Sequence, residues 1–435
     1  MSLVSSNDNS LFSKTWYEDN TEKNIHFSKV TTNQTCDVAI IGGGLAGLCL
    51  LRNLLEKGVD ALLLEAREIG QNASGRNGGF CTPGWASSSE EIVKLVGPRV
   101  ADELNQFSLD GYNWMRERMC SEKYESLDIK KGVLSVSCSG APVSECPVGS
   151  RVIDKNELQS FLKSDRYNYG IYCEEGYQFN PLNFLKCLQK EIIDLGGRIF
   201  TNSKISSMEH MKDFSVLKVN NSEINVKAKR VVFATGGYGG RETGKVSKSI
   251  LPIQTYIAVT SPLTVRQKEI INCDWAIYDT RRAGNYYRVL PDNRLLWGHS
   301  ITALGTKNID KIKKNALKDI ASIFPQLISD TCSQETLKID YAWSGNMAYA
   351  SHMMPFVSEI GSRIYSLVGF GGHGMNTAPA AANILGDWLT GSSDKFKIFE
   401  QIPYAWNWGA IGPIGAETKY FYYKLMDKIA ELKSW

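Results

Sequence analysis

The sequence predicts an α/β protein with two domains, one built on a mainly parallel sheet and the other on an antiparallel sheet. The chain has 435 residues, which is too long for one compact core. Short apolar runs followed by glycine turns and helical spacing occur near both ends of the chain, and such runs are typical of parallel strands buried on both faces. Interior stretches such as YYRVL and RLLWGHS instead favour an antiparallel sheet.

The composition excludes several classes of protein. The formal net charge is only +3 and the basic residues are spread along the chain, so no nucleic-acid-binding stripe is predicted. Ten cysteines and five histidines are scattered without zinc-ligand spacing, which predicts no metal site, free thiols and a cytoplasmic location. The uncharged run 38–51 is shorter than the roughly 20 residues of a membrane span, so no span is predicted.

A glycine fingerprint follows the first predicted strand. Gly42, Gly44 and Gly47 form GxGxxG between the apolar run Val38–Ile41 and the helical pattern Leu45–Lys57. Gly42 permits a tight turn, Gly44 permits close approach to a pyrophosphate, and Gly47 permits close packing of helix on strand. The diphosphate then lies at a helix N-terminus, where free N–H groups and the helix dipole favour negative charge.

The second predicted strand, Asp60–Leu64, ends at an acidic residue. Glu65 follows Gly47 by 18 residues and can accept hydrogen bonds from ribose hydroxyls. A glycine-rich turn without a ligand is the alternative, but strand, helix, second strand and terminal acid together favour a Rossmann-like dinucleotide-binding unit. Further contacts are predicted at Leu45, Ala46, Ala66 and Arg67.

Three later segments extend the predicted ligand site. The glycines of QNASGRNGGF, at 71–80, could lie flat against a planar group, although a plain flexible loop is the alternative. A buried strand and tight turn are predicted within 228–240, and upstream of it Ile205 could meet an adenine. A strand, a glycine turn and a helix are predicted within 366–391. The contacts predicted in these segments are Ala73, Ser74, Asn77, Gly78, Gly79, Ile205, Ala234, Thr235, Gly236, Gly371, Gly372, His373, Gly374, Met375 and Asn376.

Five motifs carry a resemblance to a known family. ASGRNGG, NYYRVLPDNRLLWG, IFPQL, YAWSGN and GFGGHG occur in that order. From about Cys36 to its end the chain resembles the FAD-dependent oxidoreductases of the D-amino-acid-oxidase (DAO) superfamily, in the branch of glycine, sarcosine and γ-glutamylputrescine oxidases. The resemblance implies a glutathione-reductase-type, Rossmann-like FAD-binding domain with an antiparallel-sheet substrate domain, and FAD as the cofactor.

The resemblance also implies a division of the chain. In the FAD-binding domain, the segment Tyr177–Phe200 predicts a helix that begins at Asn180-Pro181, ends at Gly196-Gly197 and leads into a strand. The predicted segments are an N-terminal arm (1–34), the FAD-binding domain (35–90, 150–240 and 355–435) and a substrate or cap domain (91–149 and 241–354).

The family chemistry implies candidate catalytic residues. A hydride passes from the carbon beside a neutral amine to flavin N5, the imine hydrolyses, and O2 reoxidises the flavin to give H2O2. Tyr286, Tyr287 and Arg288 lie in the strand expected to line the substrate cavity, where Arg288 could bind a carboxylate or be a structural arginine. His299 could face the flavin or be a core histidine. Arg76 lies in the flavin loop, unless it is a solvent-facing charge.

Three departures from the sarcosine oxidases argue against sarcosine as substrate and against a covalent flavin. Leu296 stands where those enzymes have a lysine that assists oxygen, and Asn376 replaces a second lysine after GHG. The segment Ser344–Pro355, which resembles their site of flavin attachment, contains no cysteine. The predicted FAD is therefore non-covalent.

Three functions are open on the sequence alone. The chain could be an amine or amino-acid oxidase that takes a small-molecule substrate and O2. It could act on a partner protein, for example in building a quinone cofactor from a partner's side chains. It could also be a dehydrogenase that passes electrons to a carrier.

The aromatic residues of the C-terminal segment could help to decide among these three functions. Ten of the last 40 residues are aromatic, against 10% of the whole chain. They could form a protein interface or pack on the chain's own FAD domain. These aromatic residues are Phe396, Phe399, Tyr404, Trp406, Trp408, Tyr420, Phe421, Tyr422, Tyr423 and Trp435.

Overall fold

The computed structural model describes residues 13–21, 25–140, 149–306, 308–328 and 336–432. Within them the helices are α1 (Trp16–Asp19), α2 (Leu45–Glu56), α3 (Ala73–Arg76), α4 (Ser89–Val96), α5 (Pro98–Met119), α6 (Lys155–Phe161), α7 (Pro181–Asp194), α8 (Val265–Lys268), α9 (Ile309–Ile323), α10 (Gly374–Leu389) and α11 (Gly412–Leu432). The strands are β1 (Gln34–Ile41), β2 (Ala61–Leu64), β3 (Phe80–Cys81), β4 (Lys130–Ser137), β5 (Ser150–Ile153), β6 (Tyr169–Gln178), β7 (Arg198–Phe200), β8 (Ile205–His210), β9 (Ser215–Val219), β10 (Asn225–Phe233), β11 (Leu251–Pro262), β12 (Ala276–Asp279), β13 (Tyr286–Val289), β14 (Arg294–Thr302), β15 (Ile339–Tyr349), β16 (Phe356–Gly361) and β17 (Ile364–Val368).

The first sheet has the strand order β16-β17-β10-β1-β2-β7, and the β8–β9 pair joins it through β10. The run from β17 to β7 is parallel, and only β16 and the β8–β9 pair run antiparallel. Val38 and Ile40 point into the core beneath α2, while Ala39 and Ile41 point into a second core on the opposite face. Burial on both faces is why this strand reads as an unbroken apolar run.

The predicted strand–helix–strand units are present. β1 begins at Gln34, four residues before the apolar run, because its polar and partly exposed start already pairs with β10. The side chain of Asn180 accepts hydrogen bonds from the N–H groups of Leu182 and Asn183, each at 3.1 Å, and so caps α7. The segment 71–80, predicted as a loop, contains the short helix α3.

The second sheet has the order β15-β11-β14-β13-β12-β4-β6-β3, with β5 paired to β6. All of its pairs are antiparallel except β12 with β4. One face packs on α9 around a core that includes Trp297 and Phe324. The other face is turned toward the first sheet and forms one wall of the site described below.

The two sheets divide the chain differently from the predicted segments in three places. β5 and β6, inside the predicted FAD segment 150–240, pair within the second sheet. α5, inside the predicted substrate segment 91–149, packs on α10 of the first domain. α11 binds a turn of the second sheet, since Asp427 accepts hydrogen bonds from the N–H groups of Arg282 and Ala283. The other predicted boundaries stay predictions.

The described part of the N-terminal arm is attached to the body. Trp16 and Tyr17 are buried, and α1 carries a capping box formed by Thr15 and Glu18. The hydroxyl of Tyr17 donates to the carbonyl of Asn77 at 2.8 Å. The arm therefore supports the loop that was predicted to contact the flavin.

Three further observations concern the described residues only. No helix there combines the length and the apolar composition needed to cross a membrane. No cluster of three His, Cys, Asp or Glu side chains could hold a metal ion. The eight described cysteines are free thiols, and Cys146 and Cys332 lie outside the described ranges.

Candidate active site

A cavity of about 2690 Å³, called here the main cavity, lies between the two sheets. It is lined by the residues that follow β1, β2, β10 and β17, so it opens at the carboxyl ends of the parallel strands. Ligands bind at this edge of open α/β sheets. The opposite wall is the inner face of the second sheet.

The glycine fingerprint brings α2 close against β1. Gly42 has φ +117°, and a Cβ there would lie 2.5 Å from the carbonyl oxygen of Ala234. A Cβ on Gly47 would overlap the carbonyl oxygen of Gly42. The N-terminus of α2 therefore points into the main cavity, which Gly44, Leu45 and Ala46 line.

Glu65 ends β2 as a buried carboxylate. It accepts hydrogen bonds from the N–H groups of Gly43 at 2.6 Å and of Arg67 at 2.9 Å. Burial raises the pKa of Glu65, and the hydrogen bonds from the backbone of Gly43, Arg67 and Ala66 oppose that shift. Its carboxylate is thus oriented at the cavity wall, as a ribose partner requires.

Unsatisfied polar atoms at the cavity wall fit a ligand rich in phosphate and hydroxyl groups. The side-chain oxygens of Asn72 and Thr235 are buried, line the main cavity, and have no hydrogen-bond partner among the described residues. A hydroxyl can donate to a phosphate, and an amide oxygen can accept from a hydroxyl. Together with two long helices whose N-termini reach the same cavity, the residues fit an extended dinucleotide.

Most of the predicted cofactor residues line the main cavity. Two do not: Gly47 is the packing contact described above, and a Cβ on Gly79 would overlap the carbonyl oxygen of Phe179. Both glycines allow close backbone contacts behind the wall. The predicted residues that line the cavity are Gly42, Gly44, Leu45, Ala46, Glu65, Ala66, Arg67, Ala73, Ser74, Asn77, Gly78, Ile205, Ala234, Thr235, Gly236, Gly371, Gly372, His373, Gly374, Met375 and Asn376.

The turn before α10 is held by internal contacts. His373 precedes the helix, and its Nε2 lies 3.2 Å from the carbonyl oxygen of Thr82. Burial lowers the pKa of His373, so its ring is neutral at neutral pH. Asn376 donates to the carbonyl of Gly84 at 3.0 Å and to the hydroxyl of Ser108 at 3.1 Å. These side chains fix the turn, and the N–H groups of the first helical turn face the cavity.

Strand β13 shows which of its two tyrosines reaches the site. Tyr286 lines the main cavity, and its ring lies so close to Gly78 that a Cβ there would be 2.6 Å from it. Tyr287 points to the opposite face, where it stacks on Trp297 at 4.5 Å and bonds to the hydroxyl of Tyr167 at 3.1 Å. The prediction for Tyr287 is wrong, because successive side chains of a strand face opposite sides.

The prediction for Arg288 as a substrate ligand is also wrong. Its guanidinium donates to the carbonyl of Phe179 at 2.8 Å and to the hydroxyl of Tyr17 at 3.3 Å. It lines a separate cavity of about 180 Å³ and is absent from the lining of the main cavity. The carbonyl of Phe179 binds the guanidinium of Arg288 behind the flavin loop. Arg288 is therefore a structural arginine, which was the alternative interpretation.

His299 lies at the main cavity as a neutral side chain. Burial lowers its pKa from 6.5 to about 4, although nearby Asp319 opposes the shift. Nδ1 lies 3.2 Å from the hydroxyl of Ser300, and Nε2 is buried without a partner among the described residues. The imidazole is therefore neutral at neutral pH and lies on the packed face of β14 beside Tyr256, as in the core alternative.

Arg76 is a buried cation at the main cavity, so the solvent-facing alternative is excluded. It donates to the carbonyls of Ser344 at 2.9 Å and Ser13 at 3.1 Å. Burial lowers the pKa of Arg76 from its usual value, yet a guanidinium stays charged at neutral pH.

One wall of the site, formed by β15, was not predicted from the sequence. In β15 the cavity is lined by Trp343 and by every residue from 345 to 349. Trp343 Nε1 donates to the carbonyl of Arg76 at 2.8 Å, and burial raises the pKa of Tyr349 to about 12. The period-two pattern of IDYAWSGNMAY was the available signal, but no pattern shows which face of a doubly buried strand meets a ligand.

Comparison with known proteins identifies the family to which this fold and site belong. Residues 37–388 match the family described as "FAD dependent oxidoreductase" (DAO), so the chain belongs to that family. The cofactor is therefore FAD, and the chain is an oxidoreductase with the fold that the motifs predicted.

Curated relatives match over nearly their whole length. The chain is 28% identical to "Probable oxidoreductase OrdL" of Haemophilus influenzae, over 95% of this chain and 97% of the relative. It is also 28% identical to "Gamma-glutamylputrescine oxidoreductase" of Escherichia coli, over 89% of this chain and 92% of that protein.

Solved structures share the fold. L-proline dehydrogenase from P. horikoshii has a TM-score of 0.66 at 17% identity, over 86% of this chain and 98% of its own. Glycine oxidase from Geobacillus kaustophilus has a TM-score of 0.63 at 17% identity, over 88% of this chain and 99% of its own. Glu65, the N-termini of α2 and α10, and the flavin loop around Arg76 are the groups that would hold FAD.

Proposed function

We propose that this flavoenzyme oxidises the carbon–nitrogen bond of an amine that carries an anionic group at its far end. The observation that carries the proposal is one continuous cavity from the glycine fingerprint to the inner face of the second sheet. When bound, FAD supplies the acceptor for the two electrons and hydrogen that leave the carbon beside the amine. The chain's own residues must then position the amine and exclude water.

The inner part of the main cavity suits a neutral amine. Tyr286, Trp343 and Tyr349 present aromatic surface to it, and such surface excludes water and so favours the uncharged form of an amine.

The main cavity extends further than a small amino acid needs. The lining of the whole cavity crosses the second sheet from Trp343 on β15 to Cys173 on β6. Six strand spacings separate these strands, or roughly 29 Å at about 4.8 Å each. This length supports a substrate such as an acylated diamine over glycine, in line with the γ-glutamylputrescine oxidoreductase relative.

Arg282 is the group we assign to the far end of the substrate. It lies in the turn between β12 and β13, lines the main cavity and is exposed. The described residues form no ion pair with its guanidinium, whereas neighbouring Arg281 is bound to Asp279 at 2.6 Å. A guanidinium in this position can bind a carboxylate through two hydrogen bonds.

We further propose that O2 is the electron acceptor, in line with the charge that the site provides. Leu296 is buried in an apolar cluster with Trp343 and Tyr17, so the strand offers no cation there. Arg76 instead provides a permanent positive charge beside the flavin loop, and such a charge stabilises the anion formed when O2 takes an electron. The enzyme would work in the cytoplasm, consistent with its free thiols.

Anaerobic mixing tests the function directly. The purified flavoprotein is mixed with glycine, sarcosine, putrescine and γ-glutamylputrescine, and the loss of visible flavin absorbance is followed. We expect fast bleaching by γ-glutamylputrescine and slow bleaching by putrescine, followed by recovery of absorbance when O2 is admitted. If no amine bleaches the flavin at millimolar concentration, the small-molecule function is rejected in favour of a protein substrate. If bleaching occurs but O2 restores the absorbance only slowly, a separate electron carrier is required.

A variant of Arg282 tests the substrate assignment. We expect Arg282→Gln to raise KM for γ-glutamylputrescine about tenfold, the loss of one charge-assisted contact, and to leave the KM for putrescine unchanged. The comparison of two substrates in one variant controls for general damage. Equal effects on both substrates would contradict the assignment.

A further inference from the structure

The helix α11 binds to the second domain through its polar face. Glu417 accepts hydrogen bonds from the N–H groups of residues 303 and 304, at 2.7 and 3.1 Å. Asp427 accepts from those of residues 282 and 283, at 3.1 and 2.9 Å. Glu431 pairs with Arg166 at 2.5 Å. These three carboxylates therefore point toward the body of the protein and are engaged there.

The opposite face of α11 is apolar and exposed. At 3.6 residues per turn, six apolar or aromatic residues fall within a sector roughly 100° wide, interrupted only by Thr418. Their exposed fractions run from 37% to 76%. A surface helix ordinarily buries such a sector against the core, so its orientation here is reversed. The residues are Ile414, Phe421, Tyr422, Leu425, Ile429 and Leu432.

The apolar surface continues into the segment before the helix. Trp406, Trp408 and Ile411 are exposed by 59%, 62% and 58%, and the two indole rings stack at 5.7 Å. The backbone of this segment is fixed, since the N–H of Asn407 donates to the carbonyl of Lys248 at 2.7 Å. The six residues of α11 and these three are together called the outer apolar face.

Lysines flank the outer apolar face on both sides. At 3.6 residues per turn, Lys428 borders one edge of the apolar sector, Lys424 lies about 40° further round on that side, and Lys419 lies about 60° beyond the other edge. Among the described residues of α11, Glu417 lies at the edge of the inward half, the other two acidic side chains lie within it, and all three are bonded to the body, so the solvent-facing charges nearest the apolar sector are lysines. The partner of this face must therefore be apolar in part and anionic in part.

Charge decides between a lipid surface and a second copy of this chain. Two such faces packed together would bring lysine flanks against lysine flanks, and the nearby carboxylates are already engaged inward. An anionic bilayer complements both features, because acyl chains accept the apolar sector while headgroups attract lysines. Tryptophan and tyrosine are enriched at the interface between lipid and water, where Trp406, Trp408 and Tyr422 would lie.

We propose that the outer apolar face binds the surface of an anionic lipid bilayer, with α11 lying in the plane of the interface. Leu304, Trp406 and Pro413 line the mouth of the main cavity beside this face. The binding would therefore place the mouth at the lipid surface. The proposal is independent of which amine the enzyme oxidises.

Vesicle sedimentation of the full-length, FAD-loaded protein tests this proposal. We expect cosedimentation with vesicles of phosphatidylglycerol and phosphatidylcholine, little with phosphatidylcholine alone, and a decrease as salt is raised. The tryptophan emission of the protein should shift to shorter wavelength with the anionic vesicles, because Trp406 and Trp408 are exposed without them. Absence of binding at millimolar anionic lipid would overturn the proposal.

Two pairs of matched variants locate the binding. Phe421→Ser with Leu425→Ser should weaken vesicle binding about tenfold or more, whereas Val265→Ser, at an 80% exposed apolar position on α8, should not. Lys424→Gln with Lys428→Gln should weaken binding to anionic vesicles, whereas Lys314→Gln with Lys318→Gln on α9 should not. Unchanged melting temperature and flavin content would show that every variant is folded. Equal binding by the parent and the Phe421/Leu425 variant would refute the assignment.

Light scattering tests the alternative that the outer apolar face binds a second copy of this chain. If the parent is a dimer without lipid, and the Phe421/Leu425 variant is a monomer, the outer apolar face is a contact between copies and the lipid proposal fails. A parent whose oligomeric state is unaffected by these substitutions, together with salt-sensitive vesicle binding, supports it.

Discussion

Glu65 and His299 show how burial sets the role of individual residues at the main cavity. Glu65 keeps its carboxylate in place through two backbone N–H groups, whereas burial lowers the pKa of His299 and keeps its ring neutral. Glu65 is suited to bind hydroxyl groups of the cofactor, and His299 makes the stability of the fold depend on pH. Each role can be tested by one substitution.

Glu65→Ala should weaken FAD binding by about 1.5–3 kcal/mol, the usual cost of a hydrogen bond to a charged group. Flavin occupancy after dialysis, measured against the parent, gives the change in Kd. Glu90→Ala, at an exposed site, is the control. Unchanged occupancy in Glu65→Ala would count against the ribose assignment.

His299 makes stability depend on pH in a defined window. Its pKa is lowered in the folded state to about 4, so below pH 6.5 the unfolded chain binds a proton that the folded chain does not. The free energy of unfolding should therefore decrease as pH falls from 6.5 to about 4, by about 3 kcal/mol from this residue. Urea unfolding at several pH values should show a smaller decrease in His299→Asn. The variant His210→Asn, at an exposed position, should behave like the parent; equal acid sensitivity in His299→Asn would contradict this explanation.

Residue roles were predictable only where neighbouring backbone geometry fixes them. The glycine fingerprint and Glu65 could be read because spacing along one strand–helix–strand unit determines their position. Tyr287 could not be distinguished from Tyr286, because both faces of β13 are buried and both side chains are aromatic. Arg288 was misread because its partner, the carbonyl of Phe179, lies 109 residues away in the chain.

At the scale of elements, close contact between α2 and β1 depends on Gly47, which has no side chain. Gly47→Ala should force α2 away from Gly42, with a loss of about 1–3 kcal/mol of stability and of FAD binding. Gly415→Ala, on the outer side of α11, has no atom within 4 Å of the added Cβ and should be neutral or slightly stabilising. Thermal unfolding and flavin content measure both effects. Normal FAD binding in Gly47→Ala would show that the fingerprint tolerates the displacement.

Most elements were predictable, and the place where α11 docks was not. β1, α2, β2 and α7 follow from apolar periodicity with glycine, asparagine and proline at their ends. α11 docks through carboxylates that meet backbone N–H groups of distant turns, and such contacts leave no periodic signal. The aromatic segment before it is divided: Phe396 and Phe399 are buried in the first domain, while Trp406 and Trp408 are exposed. Trp435 lies outside the described residues.

At the scale of the whole molecule, the two sheets enclose the cofactor site without a cysteine in the segment that resembles the site of flavin attachment in the sarcosine oxidases. Segment 344–355 lines the cavity with Met347, Tyr349 and Met353 and contains no cysteine. Acid precipitation should therefore release all of the flavin into solution and leave a colourless pellet. A yellow pellet after washing would contradict non-covalent binding.

The N-terminal arm and the flavin loop are joined by two hydrogen bonds, so flavin binding and attachment of the arm depend on each other. Tyr17 bonds to the carbonyl of Asn77, and Arg76 bonds to that of Ser13, so the loop and the arm hold each other. Bound flavin that orders the loop therefore strengthens the attachment of the arm, and the attached arm strengthens flavin binding by the same factor. Trypsin, which cuts after lysine, would therefore cleave at Lys14 more rapidly once the flavin has been removed. A brief digest followed by mass spectrometry could then serve as a measure of how much of a preparation carries its cofactor.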